Sequence, residues 1–333
     1  KKGSNPSHSI MPYWLIFIAC GLALFGYAVV VARCGDYRNR WFYRKLYSAN
    51  IFDLIVFGWK LLGSPGSWVF TRTIALGYAL SHPTTLAAVR SNLALFNPKK
   101  AGFFEACKLF INQAECISTF GRFALAEPGT LKDLLGEKYG FEHLKKAHES
   151  GKGCLLVTGH FGFFEMGGLV MAELGFPVTA LTLPEPYPEL TQWRADFRAR
   201  WGVKTVVVGK DVFSVVEIVR AINAGAFVAT LIDRPYDGSG VKVPAPHGHI
   251  LFSSAPVLIS LLANCSIVPV GISTQANGKY RIDACAPIHP QWLEAGRTET
   301  LEHFTQKIAE ELVPLFGQAP EQWYHFSPMA CRV

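Results

Sequence analysis

Residues 157–168 read VTGHFGFFEMGG and set one imidazole and one carboxylate, His160 and Glu165, in a bed of glycine and phenylalanine. Histidine titrates near neutrality, so a positioned one can take the proton of a hydroxyl as that hydroxyl attacks. A carboxylate on one ring nitrogen fixes the tautomer and raises the basicity of the other nitrogen. On a continuous helix residues at this spacing would lie about 140° apart. The two therefore meet only if His160 sits in a loop and Glu165 in the first turn of the following helix. Gly159 and Gly162 give the backbone freedom for such a turn, and the helix dipole would keep Glu165 ionised. The plain alternative is an ordinary strand-to-helix turn with two polar residues in it.

The flanking elements place this motif where ligands gather. After Gly151, short apolar runs appear at 154–157, 178–183, 204–208, 227–232, 267–272 and 280–282. Helical patterns fall at 163–174, 190–201, 212–223, 255–263 and 298–316. Alternation of this kind predicts an α/β fold with a mainly parallel sheet flanked by helices. His160 follows the first of these strands, and open α/β sheets bind ligands beyond the carboxyl ends of their strands. Residues 67–150 read as helical throughout, with breaks at HPTT, NPKK and EPGT, and predict an N-terminal helical layer.

Residues 11–32 carry no charge, and as a helix would span about 33 Å, enough for a bilayer core. They predict a transmembrane anchor, with residues 1–10 a tail or remnant ahead of a natural start at Met11. Arg33, Arg38, Arg40, Arg44 and Lys45 follow it against the single acid Asp36. That asymmetry predicts a single-pass protein of the inner (cytoplasmic) membrane with its catalytic domain in the cytoplasm. The basic juxtamembrane segment, 33–66, continues into apolar sequence with tryptophan and lysine, broken at Gly63-Ser64-Pro65-Gly66. It fits a helix lying in the membrane interface or one buried in the core. The domain proper is expected over 67–330.

Half of the residues are hydrophobic and the formal net charge is +7, with a mean hydropathy of +0.21. That is too polar for a polytopic membrane protein. The positive balance suits an anionic membrane surface or an acidic carrier. No basic block interleaves with aromatics as in nucleic-acid-binding motifs, so no nucleic-acid partner is expected. The eight cysteines form no C-x-x-C pair and sit mostly in apolar runs, as free thiols behaving as small hydrophobes do.

The GHFGFFEMGG stretch resembles the H-x4-E form of the motif of glycerolipid-type acyltransferases, and most closely the lipid A late (secondary) acyltransferases. RSNLALF at 90–96, LIDRPYDGSGVKV at 231–243 and APEQWYHF at 319–326 are similar to further segments of that family, in its order. The resemblance covers roughly 68–328. Two departures from the family pattern, APHGH at 245–249 and Thr182-Leu183-Pro184, bear on pocket shape and acceptor contacts. The resemblance implies a glycerolipid-acyltransferase-like fold and transfer of a fatty acyl group from a thioester, on acyl carrier protein or CoA, to a hydroxyl of a lipid acceptor. A lipid A precursor, another glycolipid or an aminolipid would qualify.

On that reading His160 is the general base and Glu165 its orienting carboxylate. The thioester brings its own leaving group, so no nucleophilic serine and no resident cofactor are implied, and no G-x-S-x-G elbow occurs. Arg198 and Arg200 match an Arg-rich family segment and are expected at phosphate or donor groups, or else on a solvated helix face. Asp233 and Arg234, at a strand end, are expected in substrate binding or as a structural ion pair. Phe161, Phe163 and Phe164 are expected both to pack in the core and to line the mouth of an acyl groove. A metal reading of His247 and His249 with His160 and Glu165 matches no closed zinc spacing, and no metal is expected. Two other classes share these features: a metal-dependent or esterase-like lipid hydrolase, and a non-catalytic lipid-binding scaffold.

Overall fold

The computed structural model describes residues 49–209, 213–235 and 240–329. The expected anchor at 11–32 and the basic residues that follow it lie outside these residues. Among the described residues no helix is long and apolar enough to cross a membrane.

The N-terminal helical layer forms as expected. α1 (Ala49–Ser81) runs through the predicted break with a kink at Gly63, whose φ is 61°. α2 is Pro83–Ala94 and α3 is Phe103–Leu125. α1 buries Ser67, Thr71, Ala75 and Ala79, a seam of small residues one turn apart that lets α1 and α3 approach closely. Trp59 Nε1 donates to Ser118 Oγ across the pair at 2.9 Å.

The wholly helical reading of 67–150 is corrected at its end. β1 (Leu135–Tyr139) is a strand, followed by α4 (Phe141–Glu149). Its sequence LGEKY has one buried residue, at an edge of the sheet. Pairing along the backbone holds it there, and hydrophobic periodicity does not report backbone pairing.

The expected α/β alternation then follows. β2 is Cys154–Thr158, α5 Phe164–Glu173, β3 Val178–Thr182, α6 Pro188–Arg200, β4 Lys204–Val207, α7 Phe213–Asn223 and β5 Phe227–Leu231. An antiparallel hairpin, β6 (Val241–Ala245) and β7 (Gly248–Phe252), which the periodicity did not signal, precedes α8 (Ala255–Ala263). β8 (Ile267–Thr274), β9 (Tyr280–Ala284) and α9 (Arg297–Gln318) complete the order.

Seven of the described strands form one sheet in the order β1-β9-β8-β2-β5-β3-β4. Only the β8–β9 pair is antiparallel. β2 shows why the sheet is covered on both faces. Cys154 and Leu156 enter the core under α5 and α6, while Leu155 and Val157 enter the core under α8 and α9.

On one side β2 pairs with β5, in a register that sets Thr158 opposite Leu231. The ladder continues one step past the strand ends, where Ile232 N donates to Thr158 O at 2.9 Å. The second residue beyond β2 is His160 and the second beyond β5 is Asp233, so this register delivers both to the same edge.

Candidate active site

The loop between β2 and α5 holds His160 at the carboxyl end of the sheet, in the expected location. Two glycines permit its path. Gly162 has φ 56°, and a Cβ there would press on the Ile272 carbonyl. Gly159 lies flat against Asp233, where an added Cβ would sit 2.7 Å from Oδ2.

Asp233 is the centre of the site. His160 Nδ1 lies 2.8 Å from its Oδ1. Oδ2 accepts the His160 backbone N–H at 2.8 Å, Trp323 Nε1 at 2.9 Å and His325 Nε2 at 2.8 Å. Burial pushes the Asp233 carboxyl up, but the two imidazoles and their hydrogen bonds hold it well below the usual carboxylate range. An ionised carboxylate only accepts, so His160 donates to it through Nδ1, and Nε2 is the ring nitrogen that the carboxylate does not engage. The Asp233 side chain is 0% exposed and that of His160 is 19% exposed, so the imidazole can be reached while the carboxylate cannot.

His160, Asp233 and His325 bring ligand atoms within 4.8 Å of one another. The fit to a metal is poor, because both imidazoles and two further N–H groups already donate to the carboxylate. His247 and His249 sit in or beside the β6–β7 turn and do not join this group.

The expected partner of His160 is corrected here. Glu165 lies in the first turn of α5, as predicted, but its carboxylate points away from the imidazole towards α6. It accepts two hydrogen bonds from Arg198, one from Nε at 2.9 Å and one from Nη2. Both side chains are buried. Burial pushes the Glu165 carboxyl up, and the Arg198 guanidinium outweighs this and holds it below its ordinary value. The cause is positional. With α5 starting at Phe164, the first-turn side chain at 165 faces the packed side of the helix, while His160 faces β5.

The other expected contacts divide in the same way. Arg198 is committed to Glu165 and is not presented to solvent. Arg200 is exposed, and its guanidinium donates to the carbonyls of Ala124 and Ala126 at the end of α3. Asp233 accepts hydrogen bonds from the two histidines, not from Arg234, which donates to the Tyr324 carbonyl. Phe161 packs at a tilt on Phe316, and Phe163 packs on Phe120 and Phe123, both as core. Phe164 is half-buried and sets its ring edge-on to His160 at 5.6 Å between centroids. Phe164 also borders a cavity of about 40 Å³ lined by Leu156, Gly167, Met171, Val270 and Ile272.

The segment after α9 closes the site. Tyr324 N donates to His160 O and Gly162 N to Gln322 O, each at 2.8 Å. Residues 322–325 therefore run alongside the histidine loop as a short clamp. The model of the bacterial lipid A biosynthesis acyltransferase family matches residues 39–329. The chain belongs to that family. A search of curated proteins returned no match.

Membership makes the protein an acyltransferase, as the resemblance implied, and indicates acyl transfer to a lipid. For a lipid A biosynthesis acyltransferase a base at the sheet's carboxyl end is a coherent arrangement. The roles of Trp323 and His325 were missed in the sequence. A histidine within the aromatic run WYHF is the signal that could have drawn attention to them.

Proposed function

We propose that the protein moves a fatty acyl group from a thioester of acyl carrier protein or CoA to a hydroxyl of a lipid acceptor. A lipid A precursor or another glycolipid is the acceptor class. His160 takes the hydroxyl proton through Nε2 as the oxygen attacks the thioester carbonyl. Asp233 fixes the imidazole tautomer and stabilises the imidazolium. The thiolate leaves and recovers a proton from His160, so the step needs no further reactant.

The observation that carries this reading is the hydrogen bond of 2.8 Å from His160 Nδ1 to a fully buried carboxylate, with the imidazole still accessible. The amides of His160, Phe161 and Gly162 are taken up by Asp233, Gly159 and Gln322. The Met166 amide is likewise taken, by Phe163 O, so the amides of Phe164 and Glu165 at the start of α5 are the proposed donors to the tetrahedral oxyanion. Phe164 and the small apolar cavity behind it mark the proposed entry of the acyl chain. Glu165 serves the chemistry at one remove, by bracing α5 against α6 through Arg198.

Attachment to the inner membrane, with the catalytic domain on the cytoplasmic side, belongs to the same proposal. It is supported by the uncharged run at 11–32 and by the outer side of α1, where Leu54, Phe57, Leu61 and Trp68 are exposed while Phe52 and Trp59 pack on α3. A row of bulky apolar groups left at the surface suits a helix resting in a lipid interface.

The test is acyl transfer per folded molecule by the full chain and by His160→Ala, followed by mass spectrometry of the lipid product. The expected loss is about 10²–10⁴-fold, the usual contribution of a general base. Near wild-type activity in His160→Ala would overturn the mechanism.

A further inference from the structure

Asp233 Oδ2 is crowded. Besides the His160 amide it takes two side-chain donors from one short segment, Trp323 Nε1 and His325 Nε2. His325 is 1% exposed, and its ring lies 5.8 Å from that of His160, centroid to centroid. Two imidazoles thus flank one carboxylate, one reachable by substrate and one sealed behind it. A simple orienting role for Asp233 requires only the first.

We propose that His325 is a positioning residue of the reaction, which holds the Asp233 carboxylate in register with His160 and draws off part of its negative charge. The inference rests on the general-base reading of His160. His325 is suited to the task because it stays neutral. Burial lowers its pKa, against the pull of Asp233, and the positive charge of Arg234 adds to the lowering. A neutral imidazole facing an ionised carboxylate donates one N–H and brings no competing charge. A hydrogen bond to an ionised acceptor is stronger than one between neutral groups, so its loss matters to the carboxylate it leaves behind.

The consequence has a sign. Without the His325 donor more negative charge stays on the oxygens of Asp233, and the protonated form of the base beside them is stabilised. The acid limb of the pH–rate profile then moves to higher pH. The charged and titratable groups facing this pair are Asp233, Arg234 and each other, on the loops after β5 and β2 and the clamp after α9. Charge redistribution shifts the limb, whereas a residue that merely fills space changes the amount of active protein and leaves the limb in place.

The experiment compares pH–rate profiles, per folded molecule, of the full chain, His160→Ala, His325→Leu and His325→Gln. Leucine removes the donor. The glutamine amide places an N–H near the position of Nε2 and keeps it. The expected result is an acid limb raised by roughly half a unit to one unit in His325→Leu, with a lower plateau. In His325→Gln the limb returns towards the wild-type position. If the leucine variant yields no folded protein, His325→Asn replaces it, because the shorter amide does not reach Asp233. A wild-type limb in the leucine or asparagine variant, or a glutamine variant no closer to wild type than they are, would overturn the inference. Activity retained in His160→Ala would instead sink the general-base reading beneath it.

Discussion

His160 and Asp233 stand 73 residues apart in the chain and 2.8 Å apart at the site, Nδ1 to Oδ1. Each lies two residues beyond the end of its strand, and the β2–β5 register sets those ends side by side. The carboxylate that pairs with the His160 imidazole is therefore supplied by the neighbouring strand and not by the helix that follows the histidine.

Replacing Asp233 with Asn should lower acyl transfer by about 10²–10⁴-fold. An amide can accept from Nδ1 through its oxygen or hold the wrong tautomer through its nitrogen. The variant also meets three further N–H donors with one carbonyl oxygen, so some stability should be lost. Steady-state rates normalised to folded protein check this, and a rate within about threefold of wild type would contradict the role assigned to Asp233.

Glu165 and Arg198 should behave as a buried ion pair. Glu165→Met or Arg198→Met alone leaves an uncompensated charge and is expected to cost about 3–5 kcal/mol, with much of that regained in the double variant. Denaturant unfolding of the three proteins checks the coupling. If Glu165 instead oriented His160, its coupling would appear with His160 in the transfer rate and would be absent from stability.

Stability should fall on acidification in two steps. The folded-state pKa of His325 is depressed, so its contribution is fully present above the unfolded value of about 6.5 and is lost as pH falls below it. Asp233 and Glu165 are likewise depressed, so their contributions are present above the unfolded carboxylate range near 4 and are lost below it. Thermal unfolding from pH 8 to about 2 checks the order. The first step should be missing in His325→Leu.

Gly159→Ala should damage activity more than its size suggests. Its Cβ would lie 2.6 Å from the Phe316 ring and 2.7 Å from Asp233 Oδ2. Either the ring or the carboxylate must shift, and a displacement of the carboxylate moves the base with it. The expected outcome is at least a tenfold loss of rate, since about 1.4 kcal/mol is a factor of ten. Equal losses of rate and of folded protein would show that only packing is affected.

Membrane attachment should depend on α1 as well as on the segment before it. In the full chain, Leu54→Ser with Phe57→Ser and Leu61→Ser should reduce activity on acceptor presented in vesicles more than on acceptor in detergent micelles. Removal of residues 1–48 should release only part of the protein from membranes. Equal activity on both presentations would take α1 out of the interface.

Much was legible in the sequence because it is local. The alternation of apolar runs with helical periods gave the mainly parallel sheet. Gly159 and Gly162 marked a turn that only small residues allow, and the strand before them placed His160 at the reactive edge. The carboxylate partner of His160 was not legible there. Glu165 was the nearest acid in the chain, and chain proximity is a poor guide once a helix begins, because each first-turn side chain commits to one side of it. Pairing of β2 with β5 and return of residues 322–325 to the histidine loop are long-range events fixed by packing on both faces of the sheet. Neither leaves a period in the sequence. Only the folded chain could therefore pair Asp233 with His160 and His325, and Glu165 with Arg198.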